Sequence, residues 1–276
     1  MIRLAKNCAR LLYRIGVPLP HAVVERVVRM ERYESSKRTL TSIFEGRKMT
    51  MDKRGFWSVE PMPASDELDR YYAESYWAVR NDQPIWLRHR DIAHFQQLQQ
   101  YLQQMVGGAQ KPVALNFGAG HGGISFLLVA AGFEVVNFDP YPSDLPIFGY
   151  ASDIEQVPFG CSLVYGSHSF EHITDVDATF TAVIDRLRPG GLLFAEVPNA
   201  TYMGYSEVGK EGHREPKIHP PHTVYFTSDF FRSLPMSTME LDTFVYEGNP
   251  WGVAALGEGG EVIRFIGRKP LQNAVI

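Results

Sequence analysis

Of the nine histidines in this 276-residue chain, five fall between positions 168 and 222. Two stand in "SHSFEH" as His168 and His172, beside Glu171, and three stand in "GHREPKIHPPH" as His213, His219 and His222, near Glu215. Imidazole titrates near neutrality, so histidines at strand ends and in loops suit proton transfer to or from a hydroxyl. His168, His172 and His222 are the candidates for that work. Glu171 would cap the helix that follows it or hold a neighbouring histidine. Histidines with a carboxylate also have the chemistry of a divalent-metal site, but the prolines and irregular spacing of "GHREPKIHPPH" match no standard ligand pattern. No metal is expected, and His219 reads as part of an ordered substrate loop.

A second cluster of unusual residues is "ALNFGAGHGGIS", Ala114 to Ser125. Glycines cost conformational entropy, so four within six residues mark a turn where the backbone must approach something closely. Gly118-x-Gly120-x-x-Gly123, with Asp139 further on, satisfies the dinucleotide fingerprint of an oxidoreductase. Gly118-x-Gly120-x-Gly122 equally satisfies the turn that binds S-adenosylmethionine. The glycines alone leave both ligands open.

These residues need elements to hold them. "PVALNF" reads as a buried strand, "GGISFLLVAAG" as a helix and "FEVVNFD" as a second strand closing at Asp139. "IFGYASD" holds a short third strand, "SLVYGS" a fourth and "LLFAEVPN" a fifth, with the helix "DVDATFTAVIDRLRPGG" between the last two. "SDFFRSL", "MELDTFVYE" and "EVIRFIGRK" add a helix and two closing strands. Strands alternating with helices predict an α/β fold with a mostly parallel sheet, and the short Gly-rich link between the last two strands predicts an antiparallel pair. In such sheets ligands bind beyond the carboxyl ends of the strands.

"SFEHITDVDATFTAVIDRLRPGGLLFAEVPN", with Glu171-His172 and Pro189-Gly190-Gly191, resembles the region after the fourth strand in class I S-adenosylmethionine-dependent methyltransferases. "SDIEQVPF" and "HTVYFTSDFF" resemble further segments of that family, and the likeness spans about residues 113–269. The resemblance implies a Rossmann-like seven-stranded methyltransferase sheet with an antiparallel terminal pair and S-adenosyl-L-methionine as cofactor. It implies a cofactor site built from Asn116, Gly118, Ala119, Gly120, Gly122, Asp139, Pro140, Asp153, Ile154, Ser167 and His168. Asp139 would hold the ribose diol and Asp153 the adenine amino group. Asn116 stands where the family has an acid, which weakens contact to the cofactor's ammonium group. "SHSFEH" also replaces the Asn/Asp-Pro-Pro-aromatic run of amino-directed enzymes, which argues against a nucleobase amine.

Upstream, "PMPASDELDRYYAESYW" carries a Ser-x-x-Glu-like cap pattern at Ser65 and resembles segments found before such cores in surface-polysaccharide and secondary-metabolite pathways. Tyr72, Tyr76 and Trp77 would form an aromatic lid suited to a sulfonium or a sugar ring. The expected reaction is therefore O-methylation of a sugar, glycan or other small-molecule hydroxyl. Its rivals are a nicotinamide-dependent oxidoreductase and a non-catalytic binding module.

Composition sets outer bounds. Two cysteines far apart, Cys8 and Cys161, suggest no disulfide framework and fit a reducing cytoplasm. Residues 1–38 carry nine basic and three acidic side chains, or +6, which leaves −10 for the rest of a chain whose net charge is −4. An acidic body argues against general nucleic-acid binding. "IRLAKNCARLLYRIG" and "HAVVERVVRMERY" read as basic helices able to touch a membrane surface or a partner. The organisation expected is a helical extension over 1–49, a linker and helical cap over 50–110, and the cofactor domain over 111–276, with Thr50 to Pro63 as an extended arm.

Overall fold

The computed structural model describes residues 34–76, 87–141, 149–204, 206–208, 214–246, 253–255 and 260–271. The two basic helices expected before residue 34, and Trp77, lie outside them. Two compact units divide the chain, Met1–Glu45 with Ala64–Pro84, and Gly46–Pro63 with Ile85–Ile276.

In the first unit residues 34–44 are helical, and a helix over Ser65–Arg70 runs into a wider π-helical turn over Tyr71–Tyr76. The helix cap sits at Ala64, one residue before the expected Ser65, and the Glu67 carboxylate accepts the Ala64 N–H at 2.9 Å. Tyr72 and Tyr76 spend their rings on each other and on Tyr71, edge to face, with centroids 5.2–6.2 Å apart.

The second unit opens with a hairpin, β1 (Lys48–Asp52) and β2 (Phe56–Glu60). The extended arm expected over Thr50 to Pro63 is therefore a strand pair, and β2 joins β10 (Val224–Phe226) in a three-stranded sheet. The reason is local. Phe56 and Val59 are buried, and Phe56 packs against Phe226 and Phe230, so burial holds extended what the prolines alone would leave loose.

Next come α1 (His89–Met105), β3 (Val113–Phe117), α2 (Gly123–Ala130), β4 (Glu134–Phe138), β5 (Tyr150–Ala151), β6 (Cys161–Ser167), α3 (Val176–Arg186) and β7 (Leu187–Pro198). A small ribbon of β8 (Ser206–Val208) and β9 (Arg214–Pro216) precedes β10. The chain closes with α4 (Ser228–Ser233), β11 (Ser237–Tyr246), β12 (Val253–Ala255) and β13 (Val262–Arg268). The main sheet has the order β12-β11-β13-β7-β6-β3-β4-β5. Strands β3 to β7 are parallel, while β13 and β11 run antiparallel as the closing pair. This is the expected seven-stranded arrangement, with the three-residue β12 added at one edge.

Both faces of the sheet are covered, so its central strands are mostly apolar. Along β7, Leu192 and Phe194 face a core completed by Leu98 and Leu102 of α1 and Ile124 and Leu128 of α2. Leu193, Ala195 and Val197 alternate to the other face, against Phe180 of α3 and Phe230 and Phe231 of α4. Each fully buried side chain of this size contributes about 1.5–3 kcal/mol. Among the described residues no helix is long and apolar enough to cross a membrane.

Candidate functional site

The chain leaves β3 for β4 and β5 on one side, then returns to β6 on the other. The reversal between β3 and β6 opens a crevice at their carboxyl ends, and expected cofactor residues follow the strands that border it. Gly118 follows β3, Asp139 follows β4, Asp153 follows β5, and Ser167 and His168 end β6. Gly118, Ala119, Gly120, Asp139, Ser167 and His168 are all half-buried, as a crevice rim requires.

The glycine turn is left-handed at Gly118, Gly120 and Gly122, with φ of 65°, 55° and 76°. Gly118 is needed by the protein itself: a Cβ there would stand 2.2 Å from the Ser169 hydroxyl, which crosses from the β6 loop. At Gly120 the N–H donates to Asp139 Oδ2 at 2.8 Å, and Tyr150 donates its hydroxyl to the Gly120 carbonyl at 2.8 Å. Asp139 Oδ1 accepts the Tyr141 N–H at 2.9 Å, so each oxygen keeps acceptor capacity for a further hydroxyl. Burial pushes the Asp139 carboxyl up, and the Gly120 and Tyr141 N–H groups pull against it.

Asn116 turns its amide N–H groups inward. It is 3% exposed, and its amide donates to Ser125 Oγ at 3.0 Å and Asn137 Oδ1 at 3.1 Å. This triad pins β3, β4 and α2 together, which explains an amide where a charge would be costly. Asp153 is exposed and caps a 3-10 turn over Ile154–Gln156 by accepting the Glu155 N–H, while Ile154 packs on the core. Pro140 is exposed.

Across the crevice, a 3-10 turn over Phe170–His172 and the segment entering β10 bring the histidines together. Thr223 staples them: its N–H donates to the Glu171 carbonyl at 2.9 Å and its hydroxyl to the Ile173 carbonyl at 2.6 Å. The His172 and His222 rings then stand 5.1 Å apart, and His219 lies 5.4 Å from His222. Glu215 belongs to the β8–β9 ribbon, and His213 lies outside the described residues.

Glu171 is neither a helix cap nor a solvated acid. Asp175 caps α3 by accepting the Ala178 N–H, and Glu171 is 1% exposed. His168, itself in a left-handed conformation with φ of 52°, places Nδ1 3.3 Å from Glu171 Oε1 and Nε2 3.4 Å from Glu196 Oε1. Burial alone would lower the His168 pKa, yet the two carboxylates outweigh it and raise it to about 9. The burial of Glu171 opposes its charge, but the neighbouring histidines, His168 first, hold its pKa down at about 2. His222 goes the other way. Burial and the nearby His172 lower it to about 3, so it is neutral at physiological pH.

Behind His168 lies a network that motif reading missed. Glu196, fully buried in β7, accepts from Arg264 Nε and Nη2 at 2.8 and 2.6 Å and from His94 Nε2 at 2.8 Å. Burial keeps His94 neutral, so Nε2 carries the proton and the Tyr165 hydroxyl donates to Nδ1 at 2.7 Å. The signal for it was present: a glutamate inside "LLFAEVP" is a charge in a run that must be buried.

The profile of a family described as "Methyltransferase domain" matches residues 86–234, more than half of the chain. A curated relative, the C-methyltransferase NovU of Streptomyces niveus, is 30% identical over 124 residues. That alignment covers 39% of this chain and 29% of NovU, so the chain spans under a third of that relative's length. An S-adenosylmethionine-dependent methyltransferase from Mesorhizobium loti is 16% identical, with 62% of this chain and 97% of that one covered at a TM-score of 0.40. One from Clostridium acetobutylicum is 12% identical, with 74% and 98% covered at a TM-score of 0.46.

Proposed function

Because the chain belongs to the methyltransferase domain family, we propose that it moves a methyl group from S-adenosylmethionine to a hydroxyl of a sugar, glycan or other small molecule. The observation that carries this reading is the crevice at the β3/β6 reversal. A left-handed glycine turn and a half-buried carboxylate follow β3 and β4, and an imidazole cluster stands beyond β6. The bound cofactor supplies an electrophilic methyl group on a sulfonium. Everything else falls to the chain's own residues.

The turn from Gly118 to Gly122 offers backbone close enough for a nucleoside, and the spare lone pairs of Asp139 suit a ribose diol. The exposed Asp153 carboxylate, one strand further out, suits the adenine amino group. Asn116 gives its amide N–H groups to Ser125 and Asn137 and braces this wall from behind. Orientation and exclusion of water then supply most of the rate. The acceptor oxygen must lose its proton as it gains the methyl group, and the Glu171, His172 and His222 side of the crevice is where that oxygen is activated. His168, held charged between two buried carboxylates, fixes Glu171 rather than exchanging protons at neutral pH.

A second reading comes from NovU, whose name assigns it C-methylation. The same cluster would then deprotonate a carbon beside a carbonyl group. Methyl-labelled product separates the two readings, because O–CH3 and C–CH3 carbons resonate far apart in NMR spectra. Calorimetry tests the donor. Heat with S-adenosylmethionine and S-adenosylhomocysteine supports the proposal, whereas heat with NADH alone replaces it with the oxidoreductase rival.

A further inference from the structure

We propose that Glu171, His172 and His222 form a binding site for a first-row divalent metal ion such as Zn2+. One ligand atom from each of the three lies within 4.8 Å of the other two. A metal bound at ~2.0–2.2 Å from each ligand would draw them slightly closer, which imidazole rotation permits. Two nitrogens and a carboxylate suit Zn2+, Co2+ or Fe2+ better than Mg2+ or Ca2+, which prefer oxygen.

Two further observations point to a missing cation. Both Glu171 carboxylate oxygens are buried with no hydrogen-bond partner, although the residue is 1% exposed. His168 Nδ1 at 3.3 Å is near enough for charge attraction but is not aligned as a donor. A buried carboxylate with unused lone pairs is expensive unless something comes to occupy them. In addition, His172 Nδ1 faces the Pro221 carbonyl at 3.5 Å. Such a contact orients the ring, as the outer partners of metal-ligating histidines do.

The three side chains come from two segments, stapled through Thr223 to the Glu171 and Ile173 carbonyls. The site is therefore largely built in advance. His172 and His222 are half-buried while Glu171 is buried, so the cluster can be reached from solvent through its two imidazoles. The role of the ion rests on the methyl-transfer reading: it would polarise the acceptor oxygen. The O–H proton then passes to water, an oxygen lone pair forms the bond to the methyl carbon, and the C–S pair stays on sulfur.

The test begins with the full chain stripped by chelator and titrated with Co2+, followed by visible absorption, with Zn2+ as competitor. One Co2+ per chain is expected, displaced by Zn2+, with affinity ~100-fold weaker in E171Q and in H222A. The exposed His89, changed to alanine, should leave it unchanged. Absence of saturable binding, or binding that survives both substitutions, overturns the site. Should a variant unfold, imidazole 15N shifts of His172 and His222 on adding Zn2+ to the wild-type chain carry the same decision. Calorimetry with S-adenosylhomocysteine on the same preparation keeps the two readings apart. Cofactor binding without metal sinks only the metal site, and metal binding without cofactor sinks only the donor assignment.

Discussion

Glu171 and Glu196 flank the same imidazole, that of His168, and both are buried, yet their surroundings differ sharply. Glu196 sits inside a central strand, matched by Arg264, His94 and His168, and its pKa is held well below the ordinary value against the desolvation that opposes it. Glu171 sits in a loop at the crevice with no aligned donor. The first is a charge whose partners the fold itself supplies. The second is a charge left under-used, which is how binding sites differ from structural ion pairs.

The largest effect that would sharpen this contrast is on stability. E196A leaves Arg264 buried and uncompensated, so it should cost about 3–5 kcal/mol in urea denaturation. A loss below about 1 kcal/mol would show that the network is dispensable. E171Q should do the reverse: methyl transfer falls by ~100-fold, while the urea midpoint moves little, because the amide keeps the shape and fewer partners are lost. Parallel losses in both variants would erase the distinction drawn between the two acids.

D139A, on the opposite wall, should weaken S-adenosylmethionine binding by ~10-fold or more in calorimetry, since a charge-assisted contact is lost. Unchanged affinity removes Asp139 from the cofactor site. The smallest effect expected is with pH. Burial lowers the folded-state pKa of His94, so its contribution is present above the unfolded value of 6.5 and is lost as pH falls. Glu196 is depressed as well and adds a loss below its ordinary value of 4.5. Thermal midpoints of metal-free protein should therefore decline from pH 6.5 downward, and H94Q should flatten the upper part of that decline. A midpoint independent of pH across this range would contradict the charge states given to His94 and Glu196.

Much of the sheet was legible because each β strand and helix announces itself within ten or so residues. "FEVVNFD" and "SLVYGS" became β4 and β6, and "MELDTFVYE" and "EVIRFIGRK" became the antiparallel pair β11 and β13. The hairpin of β1 and β2 was not legible, because its stability comes from Phe226 and Phe230, far along the chain. The orientation of Asn116 was not legible for a similar reason. Its position in the glycine motif is local information, but the direction its amide takes depends on Ser125 and Asn137.

By itself, then, the sequence determined the α/β alternation, the glycine turn after the first sheet strand and the histidine-rich acceptor segments, since periodicity and backbone permissiveness are properties of short stretches. Only the tertiary structure decided which of those histidines meet, that Glu171 is buried among them, and that Glu196 stands behind His168. Those facts follow from strand order and from packing between segments tens of residues apart, where burial changes the energy of every charge it encloses.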